Sequence, residues 1–198
     1  MECIINSINL ILASSSPYRR SLLEKLGLDF RCESPEIDES RLENEAADSL
    51  VARLAVEKAR VVAENRTNGL VIGSDQVAEC DAMILGKPGN AENARKQLLQ
   101  MRGKTVNFHT GLCVYNAADG EYEQDVVLFK VSFRDLTEDE IERYLAKEQP
   151  FNCAGSFKSE GLGITLFNRM EGDDPNALIG LPLIRLCEML RKQGLFLP

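Results

Sequence analysis

Leu10-Ile-Leu-Ala-Ser-Ser-Ser-Pro-Tyr-Arg-Arg20 is the stretch on which the fold class turns. Its first four residues form an apolar run too short for a helix and read as a buried strand. Ser14-Ser-Ser-Pro17 then offers N-cap hydroxyls and a proline suited to a first helical turn. The helix that follows carries Leu22, Leu23 and Leu26 on one face and stops at Gly27. A strand feeding directly into a helix is the unit of α/β architecture. The same turn gathers backbone N–H groups, the positive end of a helix dipole and two guanidiniums, a combination that suits an anion. The residues equally allow a plainer reading, in which the serines only cap the helix and Arg19 and Arg20 are solvated.

Outward from this unit the alternation continues. Phe30 to Cys32 reads as a second strand, and a helix is expected from Asp48 to Asn65 with Leu50, Leu54, Ala55, Val61 and Val62 as its apolar stripe. Leu70-Val-Ile-Gly73 is another buried strand, leading into Ser74-Asp-Gln76. Asn90 opens a helix bearing Ala94, Leu98 and Met101. Strand-like stretches from Val106 to Asn116 and from Glu121 to Arg134 flank Ala118-Asp-Gly120, a hairpin signal. Thr137-Glu-Asp-Glu140 is a capping box for a helix with Ile141, Tyr144 and Leu145. A last helix starts at Pro182 and carries Leu183, Leu186 and Leu190. No repeat or linker divides the chain, so one mixed α/β domain over residues 1–198 is expected.

Composition narrows the chemistry. The 198 residues carry 23 Lys plus Arg against 31 Asp plus Glu, a net charge of -8, which opposes a nucleic-acid-coating or membrane-surface role. With His109 the single histidine, a zinc site of several imidazoles is excluded. Six scattered cysteines include no C-x-x-C pair, and a reducing compartment follows. Asn9-Leu-Ile-Leu-Ala-Ser lacks the basic flank of a signal peptide, and no window is long enough to span a membrane. A cytoplasmic location is expected.

Two places could hold chemistry. One is the Ser14–Arg20 turn. The other is Gly73-Ser-Asp75-Gln76, where a carboxylate after a buried strand could bind a divalent cation, act as a base, or simply close the strand as an Asx-turn. Glu36-Ile-Asp-Glu39 adds loop carboxylates, a pattern usually found on solvated surface. Lys58, Lys87 and Lys158 complete the set of charges. Gly86-Lys87-Pro88 is not a Walker A motif, because Pro88 stands where a Ser or Thr is required, and Gly161-Leu-Gly163 lacks the third glycine of a dinucleotide fingerprint. Phosphate-binding and metal-binding groups together favour phosphoryl chemistry.

Leu10–Arg20, Lys58-Ala-Arg60, Gly73-Ser-Asp-Gln-Val77, Gly86-Lys-Pro88, Ala154-Gly-Ser-Phe-Lys-Ser-Glu-Gly161 and Gly180-Leu-Pro182, taken in order, resemble the Maf nucleotide pyrophosphatases nearly end to end. Tyr18, Gln76 and Glu160 resemble the branch acting on 7-methyl-GTP rather than on dTTP and UTP. The resemblance implies an elongated, two-lobed mixed-sheet α/β fold with a central cleft, similar to the inosine-triphosphate pyrophosphatases, and often a homodimer. It implies metal-dependent hydrolysis of a nucleoside triphosphate to the monophosphate and diphosphate, with Mg²⁺ or Mn²⁺ as cofactor. By position it makes Asp75 the proton acceptor and Glu39 with Asp75 the metal ligands. Ser14, Arg19, Lys58 and Lys87 fall around the phosphates, and Tyr18, Gln76 and Glu160 at the specificity positions. The residues before Leu10 form a short extension expected to be peripheral. The alternative from another class is a nucleotide-binding regulator of septum formation without significant hydrolysis; an intact Asp75 and Glu39 speak against it.

Overall fold

The computed structural model describes residues 8–197, so most of the short N-terminal extension lies outside the described residues. Among the described residues, seven strands and six α-helices follow one another. They are β1 (Leu10–Ala13), α1 (Pro17–Glu24), β2 (Phe30–Glu33), α2 (Ala47–Ala63), β3 (Leu70–Cys80), β4 (Met83–Leu85), α3 (Ala91–Met101), β5 (Thr105–Asn116), β6 (Tyr122–Phe133), α4 (Glu138–Glu148), β7 (Phe167–Glu171), α5 (Pro175–Ile179) and α6 (Leu183–Lys192). They build one mixed sheet in the order β2-β1-β3-β5-β6-β7, with β4 paired to β3. β1 runs parallel to β2 and β3, while the remaining pairings are antiparallel.

The caps expected from local chemistry form. Ser16 accepts from the Arg19 N–H, Asn90 from Asn93, and Thr137 and Glu140 close a reciprocal capping box. Gly27, just beyond α1, takes φ +65°, the left-handed conformation that ends a helix at little cost in glycine. Asp174 caps α5 through the Asn176 N–H and also accepts from Ile184 N–H at 2.8 Å, which ties the starts of α5 and α6 together.

Side-chain parity divides the core. Leu10, Leu12, Leu70 and Ile72 face α1 and α6, packing on Leu22, Leu23, Leu186 and Leu190. Ile11, Ala13 and Val71 face the other way, onto Ala55, Ala59 and Val62 of α2. A third cluster gathers around α3 and α4, where Phe108, Phe133, Phe157 and Phe167 meet edge-to-face. Each fully buried Leu, Ile or Phe contributes about 1.5–3 kcal/mol of burial.

Helix α2 lies unusually close to the sheet because two strand positions lack a side chain. A Cβ at Gly73 would stand 2.1 Å from the Ala55 carbonyl oxygen, and one at Gly111 2.1 Å from that of Val51. This approach brings Lys58, on the apolar face of α2, down to β3.

Two expectations are corrected here. The strand beginning at Leu70 does not end at Gly73 but runs on to Cys80, with its ladder to β5 continuing through Glu79. Val77, Ala78 and Cys80 are buried and keep the strand going, so Asp75 lies in mid-strand and the Asx-turn reading falls. Strand β7 and helix α5 had no counterpart in the sequence reading.

Candidate active site

β1 pairs with β3 only as far as Leu12–Ile72, and β4 joins the same edge of β3 only at Ala78. Between them, residues 73–77 have β5 on one side and no strand on the other. Because α1 and α2 pack on opposite faces of the sheet, this gap is a topological switch point, where open α/β sheets hold ligands. Asp75 projects toward α2, and Ser74 and Gln76 project toward α5. The interrupted edge lets both faces meet one cleft.

On the α2 side Lys58 is the hub. Its buried ammonium donates to Asp75 Oδ1 at 2.6 Å and lies 2.7 Å from Glu39 Oε1. Burial alone would raise the Glu39 pKa, but the hydrogen bond from Lys58 and the charges of Lys58, Lys87 and Arg19 outweigh it and hold the carboxyl below its usual value. Arg19 keeps some accessible surface yet lies deep enough that desolvation draws its pKa down, opposed by the charges of Asp75 and Glu39.

The cleft has two adjoining compartments. One, of about 350 Å³, is lined by the Ser14–Arg19 turn with Glu39, Lys58 and Lys87. The other, of about 80 Å³, is lined by Tyr18, Gln76, Cys153, Phe157, Glu160 and Leu178 among others. Ser16, Tyr18, Arg19, Lys87 and Asn152 belong to both. The first compartment is the more cationic, with Arg19, Lys58 and Lys87; the second shares Arg19 and Lys87 and adds aromatic and apolar surface with one carboxylate. Partial burial pushes the Tyr18 phenol up, with Cys153 and Glu160 adding to the shift and Lys158 opposing it.

Of the sequence-predicted residues, Ser14, Arg19, Glu39, Lys58 and Lys87 meet in the cationic compartment, with Asp75 directly behind Lys58. Tyr18, Gln76 and Glu160 meet in the other. Lys158 does not join them, because Glu148 takes its ammonium through both its carboxylate and its backbone carbonyl. His109 sits on β5, 3.2 Å from Glu79, away from the cleft lining.

Sequence reasoning missed the supports beneath the cleft. Ser74 Oγ lies 2.8 Å from the Gly111 carbonyl and 2.9 Å from that of Gly180, and Arg19 Nε donates to the same Gly180 oxygen at 2.9 Å. Gln76 Nε2 reaches Thr110 Oγ1, Ala177 O and Leu178 O, and Thr110 Oγ1 donates to Ala177 O. A usable signal existed for Thr110: it shares strand parity with the buried Val106, Phe108 and Leu112, so its hydroxyl had to find a partner inside.

Whether the site suits a metal can be judged from its donors. Among the described residues no cluster of three or more His, Cys, Asp or Glu converges. Glu39 and Asp75 nevertheless share one cation, the Lys58 ammonium, so their carboxylates point to a common position. Two carboxylates beside an anion compartment fit Mg²⁺ or Mn²⁺, ions that keep waters and take substrate phosphates, and do not fit an all-protein cage. Among the described residues no helix is long and apolar enough to cross a membrane.

Residues 9–193 match the family model described as Maf-like protein. The chain is 60% identical over 185 residues to the 7-methyl-GTP pyrophosphatase of Methylobacillus flagellatus, covering 93% of this chain and 96% of that one. It is 53% identical over 189 residues to the 7-methyl-GTP pyrophosphatase of Colwellia psychrerythraea, covering 94% and 93%. Among solved structures, a HAM1 protein from Coxiella burnetii aligns with a TM-score of 0.46 at 15% identity, over 65% of this chain and 74% of that one.

Proposed function

The chain belongs to the Maf family, and from that premise we propose that it is a pyrophosphatase that hydrolyses 7-methyl-GTP to 7-methyl-GMP and diphosphate. The observation that carries the reading is the shared Tyr18–Arg19 wall of the two compartments. A ligand whose phosphates lie beside Arg19, Lys58 and Lys87 places its base against Tyr18 and Glu160.

Cleavage between the α and β phosphates needs a water aimed at phosphorus, an acceptor for its proton, and cations for the charge that builds on the leaving diphosphate. Asp75 is the acceptor in this reading. Lys58, bonded to Asp75 Oδ1, holds the carboxylate in a fixed orientation. Arg19 and Lys87 face the phosphate chain, and the Ser14 hydroxyl, which accepts from the Ser16 N–H at 3.1 Å, keeps its own hydrogen for a phosphate oxygen. Glu39 and Asp75 would hold Mg²⁺ or Mn²⁺, which supplies further neutralisation of phosphate charge when bound.

Methylation at N7 puts a positive charge on guanine. The Tyr18 face is worth about 0.5–2 kcal/mol to such a cation. The Glu160 carboxylate accepts from the Watson–Crick N–H donors, a charge-assisted contact of about 1.5–3 kcal/mol. UTP leaves that carboxylate poorly paired, so the site rejects pyrimidines as well as favouring the methylated purine.

The test is Asp75→Asn, which keeps the shape and removes the basicity. Diphosphate release should fall ~100- to 10,000-fold. Retention of more than about a tenth of wild-type turnover would remove Asp75 from the chemical step.

A further inference from the structure

Helix α5 has five residues, too few to hold itself in place, and the Gly180 N–H, shared between Asn176 O and Ala177 O, closes its C-terminal end. Side chains from the sheet add to it. Gln76 and Thr110 are direct cross-strand neighbours on β3 and β5. Thr110 Oγ1 accepts from Gln76 Nε2 at 2.9 Å and donates to Ala177 O at 2.9 Å, so a fully buried hydroxyl uses both its capacities. Gln76 Nε2 also reaches Ala177 O at 2.7 Å and Leu178 O at 3.1 Å. Two residues away along β3, the fully buried Ser74 shares its single hydrogen between Gly111 O and Gly180 O.

What hangs from each end of this clamp differs. Leu178 and Ile179 line the base compartment alone. Gly180, at φ +124°, turns its carbonyl so that it accepts from both Ser74 Oγ and Arg19 Nε, and Arg19 lines both compartments. A residue other than glycine rarely adopts that φ, so the carbonyl's direction is part of the arrangement. Arg19 therefore depends on Ser74 for its position, and the apolar wall of the base compartment depends on Thr110 and Gln76.

We propose that Ser74 and Thr110 are positioning residues with separate effects: Ser74 sets the phosphate-facing Arg19 through the Gly180 carbonyl, and Thr110, with Gln76, sets the Leu178–Ile179 wall that selects the base. Position 76 then influences base choice through α5, by where it holds that wall. The proposal rests on the pyrophosphatase reading of the cleft.

The experiment compares wild type, Ser74→Ala, Thr110→Val, Thr110→Ala and Thr110→Ser, with thermal melting to establish that each is folded at the assay temperature. Steady-state kinetics are measured on 7-methyl-GTP, GTP and UTP. Removing one buried hydroxyl contact is worth about 5- to 10-fold. Ser74→Ala should raise KM by that factor for all three nucleotides and leave their ratios within about twofold. Thr110→Val and Thr110→Ala should narrow the preference for 7-methyl-GTP over UTP by about 5- to 10-fold, and Thr110→Ser should restore it. Equal losses on every nucleotide in the Thr110 variants, or a Thr110→Ser protein no better than Thr110→Val, would overturn the proposal while wild-type diphosphate release stands. A wild type that releases no diphosphate from any nucleotide would remove the pyrophosphatase reading and this proposal with it.

Discussion

Replacing Lys58 with methionine keeps an unbranched apolar stem one atom shorter while removing the charge. The Lys58 side chain is 6% exposed and that of Asp75 10%, so the variant leaves a carboxylate largely out of water without its direct ion-pair partner, with the charge of Arg19 as partial compensation. Breaking a buried pair from one side costs about 3–5 kcal/mol, chiefly the orphaned charge. Glu39 is different: at 53% exposure it can turn to solvent, and its share of the contact is worth about 0–1 kcal/mol. For a chain of this size each kcal/mol moves Tm by roughly 2–4 °C, so a fall of about 6–20 °C is expected for Lys58→Met. Adding Asp75→Asn removes the orphaned charge and should recover much of the loss, whereas adding Glu39→Gln should recover almost none. Urea unfolding at pH 7 alongside thermal melts completes the double-mutant cycles. A Lys58→Met protein within about 1 kcal/mol of wild type, with no recovery from Asp75→Asn, would show that the buried pair does not fix Asp75.

The metal prediction is direct: excess EDTA should abolish diphosphate release, added Mg²⁺ or Mn²⁺ should restore it, and Glu39→Ala should raise the metal concentration needed for half activity. Undiminished turnover in EDTA would show that Arg19, Lys58 and Lys87 suffice. A pH prediction comes from Glu45, whose carboxyl is held down at about 2, from a usual 4.5, by its hydrogen bond from Arg53 against a smaller effect of burial. Because the folded-state pKa is depressed, this stabilisation is complete above about pH 4.5 and is lost as pH falls toward 2. The urea-midpoint gap between wild type and Glu45→Gln should therefore shrink between pH 7 and pH 3, and an unchanged gap would contradict the assignment.

Elements with strong local punctuation were legible in the sequence. Ser16 and Pro17 mark the start of α1, Gly27 its exit, and Thr137 with Glu140 the start of α4; in each case the chemistry is contained within one turn. The extent of β3 was not, because Ser74, Asp75 and Gln76 interrupt the apolar run. Their polar atoms are satisfied by α2, α5 and β5, partners up to 106 residues away along the chain. Helix α5 was missed for a related reason: five residues opened by Pro175 carry too little periodicity, and its anchorage is tertiary.

The site was legible in its residue types and not in its connections. By type Lys58 reads only as one of three lysines in the set of charges, and its burial between Ala55 and Ala59 on the sheet-facing side of α2 comes from the structure. Which carboxylate it meets depends on the closeness of α2, and that depends on the missing side chains of Gly73 and Gly111. Tyr18 and Glu160 are 142 positions apart in the chain, so only the closure of the segment bearing Glu160 against α1 makes them one compartment.

The measurement that tests the central claim most directly is catalytic efficiency for diphosphate release on a panel of 7-methyl-GTP, GTP, dTTP and UTP. The wild type is compared with the triple variant Tyr18→Arg, Gln76→Thr, Glu160→Gln. The expected result is highest efficiency on 7-methyl-GTP for the wild type, and a shift toward dTTP and UTP for the variant. Equal wild-type efficiency on 7-methyl-GTP and UTP would contradict the claim that Tyr18 and Glu160 select a methylated purine.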